Sequence, residues 1–163
     1  MFDVFKSFVA DLTSGDKHPG EFDEDDYRLA AAALLIHAAA IDGNISAAGR
    51  DLLHAMLKQR FNLDDEATEK LVEAATAAEH EAVDLYHFTR KLDRSLDEEG
   101  RLRLIEMMWQ IAFADGRVTE FEDNLIWRAA DLLGVSSHER LALRQRVASA
   151  SKLGANPGAK SGI

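Results

Sequence analysis

Apolar residues recur three and four positions apart along most of this chain, and no stretch alternates apolar with polar residues. A period near 3.6 marks amphipathic helices and a period of two marks strands, so the expected class is all-α. Residues 2–12 place Phe2, Phe5, Phe8, Val9 and Leu12 on one helical face, followed by the turn-rich stretch TSGDKHPG. The pattern resumes near residue 25 and runs to about 41 through Ala30–Ala33 and Ala38–Ala40. Small side chains allow close approach of neighbouring helices, which predicts this segment at the centre of a bundle.

Start and stop signals divide the remainder. Ser46 is expected to cap a helix carrying Leu52, Leu53, Met56, Leu57 and Phe61, and Asp64 one carrying Leu71, Val72, Ala75 and Ala78. A further helix near 83–93 has Val83, Tyr86 and Leu92 as core candidates. Asp97-Glu98-Glu99 opens the next, with Leu102, Ile105, Met108, Trp109 and Ala112 inward and Gly116 at its end. Thr119 and Glu122 have capping-box spacing ahead of Phe121, Leu125, Ala129, Leu132 and Leu133. Gly134 ends that helix, and Ser136 with Glu139 opens a last one to about residue 149. The expected division is an N-terminal amphipathic helix and linker (1–20), a helical domain (21–150) and a disordered tail (151–163).

The helical pattern repeats. Offset by 73 positions, as from Asp42 to Asp115, Asp42-Gly43 falls on Asp115-Gly116, Ile45-Ser46 on Val118-Thr119, and Leu52-Leu53 on Leu125-Ile126. After a one-residue gap Phe61-Asn62-Leu63 falls on Leu133-Gly134-Val135. The reading is a compact bundle of about seven to eight helices from two pseudo-symmetric helix–DG loop–helix units.

Composition narrows the function. There is no cysteine, which removes disulfides, thiolate metal sites and thiol catalysis. A net charge of −10 without a basic cluster disfavours nucleic acid. No apolar run has the length to span a bilayer. On the polar face of 2–12, Asp3 and Asp11 outnumber Lys6, so docking onto the bundle or a partner is expected over a lipid surface. The start lacks a signal-peptide pattern, and the expected location is cytoplasmic.

Chemistry concentrates in the two D-G-x-[IV]-[ST] loops. Asp42 and Asp115 each stand at the C-terminal, partially negative end of a helix, where a carboxylate needs compensation. Backbone amides of the following turn can supply it. So can a cation shared by Asp42, Asp115 and Glu122. Both readings stay open, as does that of Glu122 as a capping-box residue alone. An EF-hand is disfavoured: Gly116 to Glu122 matches the second half of its loop, but Ile111 and Phe113 stand where carboxylates are required. Asp51 with His54 and Asp84 with His87 have carboxylate-x-x-His spacing, but no buried glutamate accompanies them as di-iron bundles require, and solvated helix faces explain them. His37 is expected as a satisfied buried histidine. No nucleotide-binding, hydrolase or zinc-protease motif occurs.

Ala40-Ile41-Asp42-Gly43-Asn44-Ile45-Ser46 and Phe113-Ala114-Asp115-Gly116-Arg117-Val118-Thr119-Glu120-Phe121-Glu122 resemble the TerB-like (tellurite resistance protein TerB) family, as do the flanking Trp109-Gln110-Ile111-Ala112 and Leu132-Leu133-Gly134. The resemblance covers about 25–149. It implies a compact helical domain linked to tellurite resistance and stress systems, and kinship with a domain of a membrane-anchored DnaJ-like co-chaperone. It also implies acidic residues proposed to bind metal, carried here by Asp42, Asp115 and Glu122. Gly49 departs from the pattern where Glu122 has its counterpart. The expected function is a non-enzymatic accessory module, with calcium, magnesium or manganese as the candidate cation. The alternatives are a metal-free module that binds a protein partner or forms a homodimer, and a metalloenzyme using the Asp/His pairs.

Overall fold

Side-chain caps and apolar burial set the limits of each element. The computed structural model describes residues 22, 26–41, 43, 45–81, 84–116 and 118–155, with the side chains of 115 and 152–155 outside that description. These residues form seven α-helices and one 3-10 turn, and no strand is found among them. They are α1 (Tyr27–Ala39), α2 (Ala47–Arg60), α3 (Asp65–Glu81), α4 (Tyr86–Ser95), α5 (Glu98–Ala112), the 3-10 turn Phe113–Asp115, α6 (Glu120–Leu132) and α7 (Ser137–Ala155). The all-α expectation holds. The amphipathic segment 2–12, the acidic run 23–25 and Val83 lie outside the described residues.

Each expected cap accepts a backbone amide of the first turn: Ser46 from Gly49, Asp64 from Ala67, Asp97 from Gly100, Thr119 from Glu122 and Ser136 from Glu139. At the start of α1, Asp26 accepts from the Arg28 amide and is gripped by that residue's guanidinium, Nη2 to Oδ2 at 2.6 Å. Buried Arg28 also lies over the Phe22 ring, 4.7 Å from its centroid.

α1 is buried on nearly every face: Ala30–Ala33, Leu34, Leu35, Ile36 and Ala38 are all in the core. A helix apolar all round belongs at a centre, and α1 touches α2, α3, α4, α5 and α6. The second pillar is α5, with Ile105, Met108 and Trp109 sealed from solvent and the Trp109 indole N–H donating to the Arg140 carbonyl. The two broadest helix–helix interfaces are α1 with α3 and α5 with α7. α1 also meets α5, α2 meets α5, and α6 meets α1.

Some expected core residues face outward. Tyr86 is 55% exposed, Phe121 66% and Leu132 39%. On α4 the buried face is Phe88, Thr89 and Leu92. On α6 it is Glu122, Leu125, Ile126, Ala129 and Ala130, which leaves Phe121 and Leu132 on the rim. α7 runs to Ala155, past the expected end near 149, and 156–163 of the expected tail lie outside the described residues.

Candidate functional site

The glycines of the two DG loops both take positive φ and close a turn in the same register. After α1, Gly43 has φ +120° and its N–H donates to the Ala40 carbonyl at 2.9 Å. After α5, Gly116 has φ +98° and its N–H donates to the Phe113 carbonyl at the same 2.9 Å. A Cβ at either glycine would meet nothing within 4 Å, so backbone conformation, not space, calls for glycine. Ile45 and Val118 then pack against the core, ahead of the caps Ser46 and Thr119. The far ends of α2 and α6 also match. Asn62 (φ 53°) and Gly134 (φ 75°) take left-handed turns, and the amides of Leu63 and Val135 close them onto the carbonyls of Lys58 and Ala130.

Of the three candidate ligands, Asp42 lies outside the described residues. Asp115 closes the 3-10 turn at the end of α5, its side chain outside the description. Glu122 sits in the first turn of α6 and is 7% exposed. Its Oε1 accepts from the Thr119 N–H at 3.0 Å, while its own N–H donates to Thr119 Oγ1 at 3.2 Å. The capping-box reading of Glu122 therefore holds. It leaves the ligand reading standing, because a carboxylate has about four acceptor positions and the cap bond fixes the side chain's orientation. Glu120 and Asp123 add negative charge to the same turn.

The first unit differs at Gly49. Its amide occupies the Ser46 cap at 3.0 Å, and a Cβ there would stand 3.1 Å from Ser46 Oγ. The 3-10 turn bearing Asp115 packs against α2, the helix that the first loop opens. Carboxylates offer oxygen donors, the kind that calcium, magnesium and manganese prefer.

Two of the histidines reach a carboxylate on a neighbouring helix. His37 Nδ1 lies 2.9 Å from Glu79 Oε1, tying α1 to α3. Its side chain is 41% exposed, which corrects the expectation of a buried histidine while bearing out that it is satisfied. His54 Nε2 reaches Glu69 at 3.5 Å, an α2–α3 contact. Asp84 accepts from the His87 amide at 3.2 Å and so caps the start of α4 instead of pairing with an imidazole. Among the described residues no group of three or more His, Asp or Glu side chains is placed to hold a metal. Glu79 and Glu69 were not singled out from the sequence. They lie on a different helix from their partners, and no local spacing points to them.

These features define an all-helical bundle punctuated by paired DG loops. Residues 28–145 match the family described as Tellurite resistance protein TerB, and the chain belongs to that family. No curated protein and no solved structure matches it significantly. No helix among the described residues is long and apolar enough to cross a membrane.

Proposed function

We propose that this domain is a non-enzymatic binding module of a tellurite-resistance or stress system, and that its DG loops hold a divalent cation through Asp42, Asp115 and Glu122. What carries the reading is membership of the TerB family together with two DG loops whose glycines both take positive φ. The matched caps and helix ends also support duplication of α1–α2–α3 as α5–α6–α7. A two-fold arrangement requires that contacts come in exchanged pairs. α1–α3 is mirrored by α5–α7 and α2–α5 by α6–α1, while α1–α5 maps onto itself.

The test is an NMR titration of the full chain with calcium, magnesium and manganese (the last read by line broadening). The amides of Gly43 and Gly116 should respond saturably at one of the three. Asp42→Asn and Asp115→Asn should each weaken binding at least about tenfold, roughly 1.4 kcal/mol per lost ligand. Silence of both glycines at millimolar cation overturns the cation reading. The metal-free interaction module is then favoured, and the observation behind it is the exposure of Phe121, Trp127 and Leu132 on α6.

A further inference from the structure

Where α2 packs against α3, a polar pair spans the seam: His54 Nε2 stands 3.5 Å from Glu69 Oε1. α6 packs against α7 in the same way. The offset that lays Asp42 on Asp115 also lays His54 on Trp127, and after the one-residue gap Glu69 falls on Leu141. Burial follows this register: Leu57 falls on Ala130, and Leu71 and Ala75 fall on Leu143 and Val147, all of them in the core. Trp127 and Leu141 are nevertheless 48% and 51% exposed. The first unit folds with a hydrophilic pair at these positions, so packing does not call for an apolar one in the second. Charge changes sign as well. Exposed Asp123 and Asp131 stand one turn before and one turn after Trp127, on the same stripe of α6. Their counterparts on α2 are Arg50 and Lys58. Arg128, two turns after Phe121, belongs to the other flank of α6.

We infer that the α6–α7 seam docks a basic amphipathic helix of a protein partner, which sets an apolar residue against Trp127 and Leu141 and Lys or Arg against Asp123 and Asp131. Charge selects this occupant. A phosphate-rich ligand or an anionic membrane would meet both carboxylates. A second copy approaching by the same face would set acid on acid, with a net charge of −10 against −10. An incoming basic helix instead finds two carboxylates about 12 Å apart along α6, the spacing of cations two turns apart on one of its own faces. Between them lies an indole on which a Lys or Arg can stack, of the residue type that most often anchors interfaces. The inference rests on the duplication and on the interaction reading of α6, and it stands apart from the cation reading.

The test uses the full chain without added metal, at about 0.15 M salt, where exposed charges are screened beyond about 8 Å. The probe is a peptide of lysine and leucine at heptad spacing, about four helical turns long. In an NMR titration the Trp127 indole N–H should shift saturably while that of sealed Trp109 stays still. Trp127→His with Leu141→Glu, which installs the pair of the first unit, should weaken binding by calorimetry at least about tenfold. Asp123→Arg with Asp131→Lys, which installs the charges of α2, should do the same. Asp51→Lys with Glu73→Lys makes an equal change of charge on α2 and α3 and should leave the affinity within about twofold. Circular dichroism melts establish that each variant is folded, and the two seam variants touch different residues, so either alone decides. An unmoved Trp127 indole, equal losses in both charge variants, or equal affinity for a lysine–serine peptide of the same charge would each overturn the proposal. So would tighter binding to phosphatidylglycerol vesicles than to the peptide. Trp127 shifts that grow with protein concentration in the absence of peptide would overturn it in favour of a second copy, while leaving α6 an interaction surface.

Discussion

Thr119 and Glu122 satisfy each other's amides at the start of α6, and Glu122 is nearly sealed from water while doing so. Removing the hydroxyl orphans the Glu122 N–H and loosens the carboxylate that answers it. Thr119→Ala should therefore cost about 1 kcal/mol, the usual loss for an N-cap, and lower the melting temperature by roughly 2–4 °C for a domain of this size. Circular dichroism melts check this. The Asp65 carboxyl is held below its ordinary 3.8, first by a hydrogen bond from Lys58 and then by that residue's charge. The ammonium Nζ stands 2.7 Å from Oδ1. A carboxyl whose folded pKa is depressed adds stability that is present above its unfolded value and is lost as pH falls through the folded one. Asp65 is fully exposed, so the effect on stability is small and the titration is the better readout. In Lys58→Met the Asp65 midpoint should rise toward 3.8, as followed by carboxyl-carbon NMR.

Element limits were largely legible because caps are local. Ser46, Asp64, Asp97, Thr119 and Ser136 all open helices as their side chains and spacing foretell. The central place of α1 was legible for a different reason: a run of alanine and leucine with no polar face has no surface to offer water. Orientation at the rim was not legible. Phe121 and Leu132 fit a helical stripe as well as Leu125 does, and only the packing of α6 against its neighbours decides which flank is covered. The His37–Glu79 pair was illegible because 42 residues separate its members. Of the candidate site, the glycines and the capping box could be read ahead. Asp42 and the Asp115 side chain lie outside the described residues, so the ligand set rests on sequence. The alanines of α1 yield their own prediction. Ala33 is wholly buried on the helix that packs against five others, so the added bulk of Leu there must displace its neighbours. Ala33→Leu should destabilise by about 1–3 kcal/mol through overpacking, whereas the same change at exposed Ala55 on α2 should leave urea unfolding almost unaltered.

Across the whole molecule the net charge of −10 complicates any test of cation binding, because added salt of any kind relieves self-repulsion. A rise in melting temperature with calcium is therefore not enough. Screening depends on ionic strength and is shared by sodium, whereas a site follows mass action and saturates. A ligand at 100 times its dissociation constant stabilises the folded state by about 2.7 kcal/mol, which corresponds to roughly 5–10 °C here. At matched ionic strength, the cation that fits the DG loops should raise the melting temperature by that order beyond sodium chloride. The excess should level off with concentration. Asp115→Asn should remove the excess while keeping the sodium response, since one charge in ten changes screening little but takes away a ligand outright. If wild type and Asp115→Asn follow the same curve in every salt, the stabilisation is screening alone and the loops hold no ion.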